Sequence, residues 1–280
     1  MAKGYLVNLL YLGDLVGRSG RSGAIEHLPR LRSELKLDFV IVNGENAANG
    51  FGITPKICDQ LYTAGADVVV LGNHAWDARE IIPHIDGERR LIRPLNLPDS
   101  SPGRGACVYD VPGGRKILII QVLGRIFMDP LDDPFAAALA ALRNHTMGAS
   151  VNAIFVDIHA EATSEKTAIG HYLDGKVSCV FGTHTHVPTA DHQILPGGTA
   201  YMSDVGMCGD YDSVIGMDKV EPIHRFTRKM TAGHFSPASG KATVCGIYLE
   251  TDDDTGLATY LAPLRIGGRL SPIWPTETQT

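Results

Sequence analysis

Cysteine is scarce in this chain and cannot build a scaffold. The five cysteines, Cys58, Cys107, Cys179, Cys208 and Cys245, are scattered, odd in number and form no CxxC pair. That argues against a disulfide framework or a thiolate zinc site and points to a reduced, cytoplasmic protein. Basic charge is not in excess either: the net charge is −6. Phosphate backbones need a basic surface, so stable nucleic-acid binding is not expected, whereas a small nucleotide held through a metal remains compatible. Aromatics make up only 7% of residues. No apolar run is long enough to span a membrane. The N-terminal run in MAKGYLVNLLYLGD is short, interrupted by Asp14 and followed by no small-residue cleavage site, so it reads as a first strand, not a signal peptide. GDLVGRSG is not GxGxxG and nothing resembles a P-loop, which removes the dinucleotide-binding and Walker-type folds.

What is present is a core-forming globule, 44% hydrophobic and 20% charged, with no linker to divide it. Apolar runs suited to buried strands fall at 6–12, 38–42, 67–71, 116–122, 151–158 and 177–182. Between them, helices are predicted at 55–64, 78–85, 134–144 and 163–171, and one carries Ile25, Leu28, Leu31 and Leu35, with Pro29 implying a kink or a late start. Thr54 is expected to cap the 55–64 helix and Pro55 to open it. The first half thus reads β-α-β-α-β, the pattern of parallel strands covered on both faces. A hairpin is expected at 190–203 and two late strands at 242–250 and 257–265, with 93–114 irregular. The domain is expected to run over 1–268, with an irregular segment at 209–240 (a cap, an oligomer contact or a mobile loop) and a frayed tail at 269–280. The acidic turn Asp252-Asp253-Asp254 lacks the spaced ligands of a calcium loop and reads as a β-turn.

The chemistry lies where the apolar runs stop. In VSCVFGTHTHV the run ends in His184 and His186, and on a strand two residues at i and i+2 share a face. Such a pair can be exposed loop histidines, can grip one cation, or can divide between two. Four other runs end in the same kind of residue: Asp14, Glu45-Asn46, Asn73-His74 and His159. Ligands in α/β sheets bind beyond the carboxyl ends of strands, so these residues are expected to converge. Oxygen and imidazole ligands without Cys suit iron, manganese or zinc. The tally exceeds what one catalytic ion needs and fits two ions sharing a bridging carboxylate, for which Glu45 is the natural choice.

The ordered series GD (13–14), GEN (44–46), GNH (72–74), IH (158–159) and GTHTH (182–186), with GNHAWD (72–77), DIHAEATSEK (157–166) and GTHTHVPTAD (182–191), resembles the calcineurin-like metallophosphoesterases over about residues 5 to 265. It is most similar to their YmdB-like branch, whose members are described as phosphodiesterases of cyclic nucleotides, 2′,3′-cyclic ones included. The resemblance implies an αββα sandwich with mixed sheets and a metal site at the carboxyl ends of the strands. It also implies two divalent or trivalent transition-metal ions: Asp14, Glu45, Asn46 and His186 would hold one, and Glu45, Asn73, His159 and His184 the other. Two departures from the broad superfamily stand out. Val16 occupies the position of a usual His, and Glu45 that of a usual Asp; Asn46 is the candidate to compensate.

The implied reaction is attack by a metal-bridging hydroxide on phosphorus, in a phosphodiesterase acting on a cyclic nucleotide. His74 is then placed as general acid or transition-state donor. Asp77 would orient it, or alternatively cap the next helix. Arg18 and Arg125 are weaker candidates for substrate contact, and Glu161 and Glu165 for support of His159. A phosphomonoesterase or nucleotidase on the same site, or a regulatory scaffold acting through partners, are the other readings. Membrane association is not expected; a homo-oligomer is compatible.

Overall fold

The alternation within the first strand decides the layering. In Leu6–Leu12, Leu10 and Leu12 point to one face, Val7, Leu9 and Tyr11 to the other, and all five are buried. A strand buried on both faces needs a layer above and below it. The computed structural model, which describes residues 6–275, supplies both layers.

The strands are β1 (Leu6–Leu12), β2 (Phe39–Asn43), β3 (Val68–Val70), β4 (Leu91–Ile92), β5 (Ala106–Val111), β6 (Arg115–Leu123), β7 (Ala153–His159), β8 (Cys179–Thr183), β9 (Gln193–Ile194), β10 (Ala200–Met202), β11 (Thr243–Asp252) and β12 (Ala258–Gly267). The α-helices are α1 (Gly17–Glu34), α2 (Pro55–Ala64), α3 (Ile82–Ile85), α4 (Pro134–Leu142), α5 (Thr163–Tyr172) and α6 (Val220–Arg228). They build two six-stranded sheets, ordered β12-β11-β1-β2-β3-β4 and β5-β6-β7-β8-β10-β9. Strands β1 to β4 run parallel, with β11 antiparallel beside β1; β6, β7, β8 and β10 run parallel, with β5 and β9 antiparallel at the edges.

Tyr11, Ile41 and Val70 of the first sheet meet Ile119, Phe155 and Phe181 of the second across the central core. Helices α1 and α2 cover the first sheet through Leu28, Leu31, Ile57 and Leu61. Helices α4 and α5 cover the second through Ala138 and Ile169, against Ile120, Val156 and Ile158. The expected αββα sandwich with mixed sheets is the fold.

Thr54 caps α2 as expected, its hydroxyl accepting from the Ile57 N–H at 3.4 Å, with Pro55 at the first helical position. Other expectations need correction. Helix α1 begins at Gly17 and runs through Pro29, so the start is not late. The 93–114 stretch contains the edge strand β5, and 209–240 contains α6. Residues 269–275 are tied down: Ile273 and Arg265 exchange backbone hydrogen bonds at 2.8 and 2.9 Å, and the Tyr260 hydroxyl bonds the Pro275 carbonyl. Residues 276–280 of the expected tail, and residues 1–5, lie outside the described residues. Among the described residues no helix is long and apolar enough to cross a membrane.

Candidate metal centre at the carboxyl ends of both sheets

Each sheet delivers part of the site. From the first come Asp14 after β1, Glu45 and Asn46 after β2, and Asn73 and His74 after β3; from the second come His159 at the end of β7 and His184 and His186 after β8. Asp14, Glu45, Asn46, His159 and His186 are buried, His184 is partly covered and Asn73 is exposed. Parallel strands within each sheet aim their carboxyl ends one way, and the sandwich brings the two sets together.

His184 and His186 do not converge as alternate residues of a strand. Strand β8 stops at Thr183, and both histidines adopt left-handed backbone, with φ of 93° and 66°. Such a backbone costs a non-glycine residue about 1–3 kcal/mol and persists only where its surroundings enforce it. Here Thr185, between the two, is the enforced residue. Its N–H and hydroxyl both donate to Asp204 Oδ2, at 3.0 and 2.7 Å, and that same oxygen accepts from the Lys166 ammonium at 2.9 Å. Lys166 and Asp204 are each 1% exposed. A buried ion pair is weak evidence for stability in itself; this one holds a strained loop.

Two overlapping clusters result, Glu45 with His159 and His184, and Asp14 with Glu45 and His186; within each, one ligand atom per residue lies within 4.8 Å of the others. Glu45 belongs to both. The buried atoms Asp14 Oδ1, Glu45 Oε1 and Asn46 Oδ1 have no hydrogen-bond partner. All three are acceptors, and a cluster of unpartnered buried acceptors is what a cation satisfies. His159 Nε2 sits 2.9 Å from Asn73 Oδ1, 3.1 Å from His184 Nδ1 and 3.1 Å from Glu45 Oε1, a crowd of lone pairs that only positive charge makes favourable. Accordingly, burial opposes charge on His159, but Glu45 and Asp14 outweigh it and hold the imidazole above its usual range. Glu45 is held below the carboxylate range, against the cost of burial, by His159 and by the His74 N–H. Burial and His159 push His184 down to about 3.

The second ring nitrogen of each His fixes which one faces the centre. His186 Nδ1 bonds the Ile215 carbonyl at 2.8 Å; a carbonyl only accepts, so Nδ1 carries the proton and Nε2 is the free donor of electrons. Thr183 donates its hydroxyl to Asp157 at 2.8 Å and therefore accepts from His159 Nδ1–H at 2.9 Å, which leaves Nε2 inward. Tyr11 completes that chain, donating to Asp157 at 2.7 Å. His184 Nε2 lies 3.3 Å from Glu161, so Nδ1 faces His159 and Glu45.

His74 stands beside the clusters and belongs to neither. Its N–H donates to Glu45 Oε2 at 3.1 Å, and its Nδ1 lies 2.8 Å from Asp77 Oδ2. Asp77 therefore orients His74; the following 3-10 turn is capped by Ala78, without a side-chain bond. Glu161 supports His184, not His159, and Glu165 instead accepts from the Arg125 and Ile126 N–H groups at 3.0–3.2 Å. Arg125 pairs with Asp133 at 3.4 Å, and Arg18 lines a separate cleft with Pro237 and Gly240, so neither borders the centre.

Glu45, Asn46, His74, Glu161, His184 and His186 floor a cleft of about 430 Å³. Its walls are apolar: Phe51, and Val214, Ile215, Met217, Pro222, Phe226 and Phe235 from the 209–240 segment. These walls, the Thr185–Asp204–Lys166 clamp and the Tyr11–Asp157–Thr183 chain are absent from the sequence-based expectation. A polar Asp157 inside the apolar run 151–158 was the one available signal.

Fold and cluster together define the class: an αββα sandwich of the metallophosphoesterase type. A family model described as YmdB-like protein matches residues 10–264. A 2′,3′-cyclic-nucleotide 2′-phosphodiesterase of Bacillus subtilis is 45% identical over 260 residues, spanning 93% of this chain and 97% of that protein. The crystal structure of a novel phosphatase from Mycoplasma pneumoniae superposes with a TM-score of 0.88 at 34% identity, covering 95% of each chain. A hypothetical protein from Thermus thermophilus does so with 0.87 at 42% identity, covering 94% of this chain and all of its own. The chain belongs to the YmdB-like protein family.

Proposed function

We propose that this protein is a dinuclear-metal phosphodiesterase that hydrolyses cyclic nucleotides, 2′,3′-cyclic and 3′,5′-cyclic, in the cytoplasm. The carrying observation is the pair of ligand clusters sharing Glu45, with His74 held beside them and outside both. The activity named for the Bacillus subtilis relative supports the same reading. Asp14, Glu45, Asn46 and His186 would hold one ion, and Glu45, Asn73, His159 and His184 the other; the oxygen and imidazole donors favour iron or manganese, with zinc next. When bound, the ions supply positive charge against the phosphate oxygens and acidify water for attack.

The chain's own residues do the rest. Asp77 accepts from His74 Nδ1–H and so directs Nε2 into the cleft. As water adds to phosphorus and the phosphorus–oxygen bond to the ribose breaks, His74 in its imidazolium form, with Nδ1–H held by Asp77, gives its Nε2 proton to the departing oxygen, and the proton shed by the water passes to solvent, from which His74 is reprotonated. The hydroxyl product and the opened phosphomonoester, two groups of one molecule, then leave through the cleft. The apolar residues Val220, Ile223 and Met230, exposed on α6 and just beyond it, support a homo-oligomeric assembly, which light scattering reads directly.

A phosphomonoesterase would use the same centre, and the phosphatase name of the Mycoplasma pneumoniae relative favours that second reading. Purified protein supplied with Mn²⁺ or Fe²⁺ is expected to cleave 2′,3′-cAMP and bis(p-nitrophenyl) phosphate faster than p-nitrophenyl phosphate. The reverse order selects the monoesterase. A His74→Ala variant that keeps its biological effect without hydrolysis selects the regulatory scaffold.

A further inference from the structure

We propose that the apolar wall built by Phe226, Phe235 and Phe51 is a nucleobase shelf that stacks the base of the substrate without reading its identity. This rests on the phosphodiesterase reading of the adjoining centre.

The cleft is divided by chemistry. Its polar side chains all stand at the metal-centre end, while its other wall carries Val214, Ile215, Met217, Pro222, Phe226 and Phe235. A phosphodiester seated over Glu45 and His186 therefore extends its organic part along that apolar wall. Two of the three aromatic rings are fixed by neighbouring side chains, Phe235 from outside the cleft and Phe51 from its floor. The Arg225 guanidinium lies 3.9 Å over the Phe235 ring centroid and is itself fixed by Glu221 at 2.7 Å. Phe51 packs edge-on against His74, ring centroids 5.0 Å apart. Phe226 is 73% exposed at the mouth, an arrangement that leaves a large apolar ring unsatisfied until a flat ligand covers it.

The occupant follows from what the wall lacks. Apart from the weakly accepting sulfur of Met217, none of its side chains donates or accepts a hydrogen bond. A site that hydrogen-bonds a base edge rejects the wrong base by several orders of magnitude, because its polar groups are left unpaired. A site of rings stacks any base, since every base has a π-face. The structure thus assigns affinity to the base and no discrimination among bases, with purines ahead of pyrimidines only by their larger stacking area.

The test compares kcat and KM for the 2′,3′-cyclic phosphates of adenosine, guanosine, cytidine and uridine with those for baseless ribose 2′,3′-cyclic phosphate, using Mn²⁺-loaded enzyme. Wild-type kcat/KM is expected to agree within about tenfold across the four bases and to fall about tenfold for the baseless diester. Phe226→Ala and Phe235→Leu should each erode the advantage of nucleotide over baseless substrate, through KM. Equal losses on both substrates, or a preference for one base exceeding about a hundredfold, overturn the shelf. Hydrolysis of the baseless diester at the nucleotide's own rate overturns it while leaving the phosphodiesterase reading intact. Hydrolysis of none of the five removes that reading and the shelf with it. Phe226 is exposed, so its variant is expected to keep the wild-type melting curve, and a folded Phe226→Ala that still favours nucleotides by the wild-type ratio also overturns the shelf.

Discussion

Glu45 is the residue on which both clusters depend, since it belongs to each while the other clustered side chains divide between them. Glu45→Gln is expected to lower metal content at both positions, whereas His184→Ala and His186→Ala each remove one ion, counted by inductively coupled plasma mass spectrometry. Loss of both ions on removing either His would overturn that division. His74 calls for a different outcome. His74→Ala is expected to keep its metal and lose about 10²–10⁴ in kcat on a ribose diester, with a smaller loss on a p-nitrophenyl ester whose leaving group needs no proton. Asp77→Asn should follow the same pattern more mildly. The candidate ligand residues were legible because each interrupts an apolar run at its end, and chemistry stands out against hydrocarbon. The Tyr11–Asp157–Thr183 chain was not, because a threonine and a tyrosine in buried strands look like ordinary packing until their hydroxyls are seen to share one carboxylate.

At the scale of elements, the loop after β8 and the turn after β3 are both held by close fit. Removing the charge of Asp204 alone leaves Lys166 buried and unpaired, a loss of about 3–5 kcal/mol. Asp204→Asn is expected to lower the melting temperature, and the Lys166→Met/Asp204→Asn double variant to recover much of it while still binding metal more weakly, as titration calorimetry would show. Wild-type affinity in the double variant would mean the clamp serves stability alone. Gly72 makes a second case. A Cβ there would overlap Glu45 Oε2 and lie 2.5 Å from His159 Nε2. Gly72→Ala is therefore expected to disrupt metal binding without removing a ligand. The parallel strands β1, β2, β3, β6, β7 and β8 were legible because they are buried, whereas the partly exposed β12 was legible from the turn at 252–256 before it. Strand β5 escaped because it is a half-exposed edge carrying Tyr109 and Asp110, and α6 because Val220, Ile223 and Phe226 face solvent or the cleft and so leave no ordinary core stripe.

Across the whole molecule, the sandwich and its parallel strands were readable from the unbroken apolar runs and the family motifs. Which sheet each strand joins was not, because pairing depends on contacts between distant segments, such as β11 beside β1. That division has a consequence for how the molecule holds together. Asp14, Glu45, Asn46 and Asn73 belong to one sheet, and His159, His184 and His186 to the other. Ions held at the proposed centre would then be cross-links between two halves that otherwise meet mainly through the apolar interior. Ligand binding to the native state alone adds about 4 kcal/mol at a thousandfold excess over Kd. Chelation is accordingly expected to lower the melting temperature and to raise amide exchange first at the carboxyl ends of β2 and β8, where the halves are riveted. A chain in which each sheet has formed but not yet docked would offer only half of the proposed coordination sphere, so tight metal capture would mark the moment the two halves close.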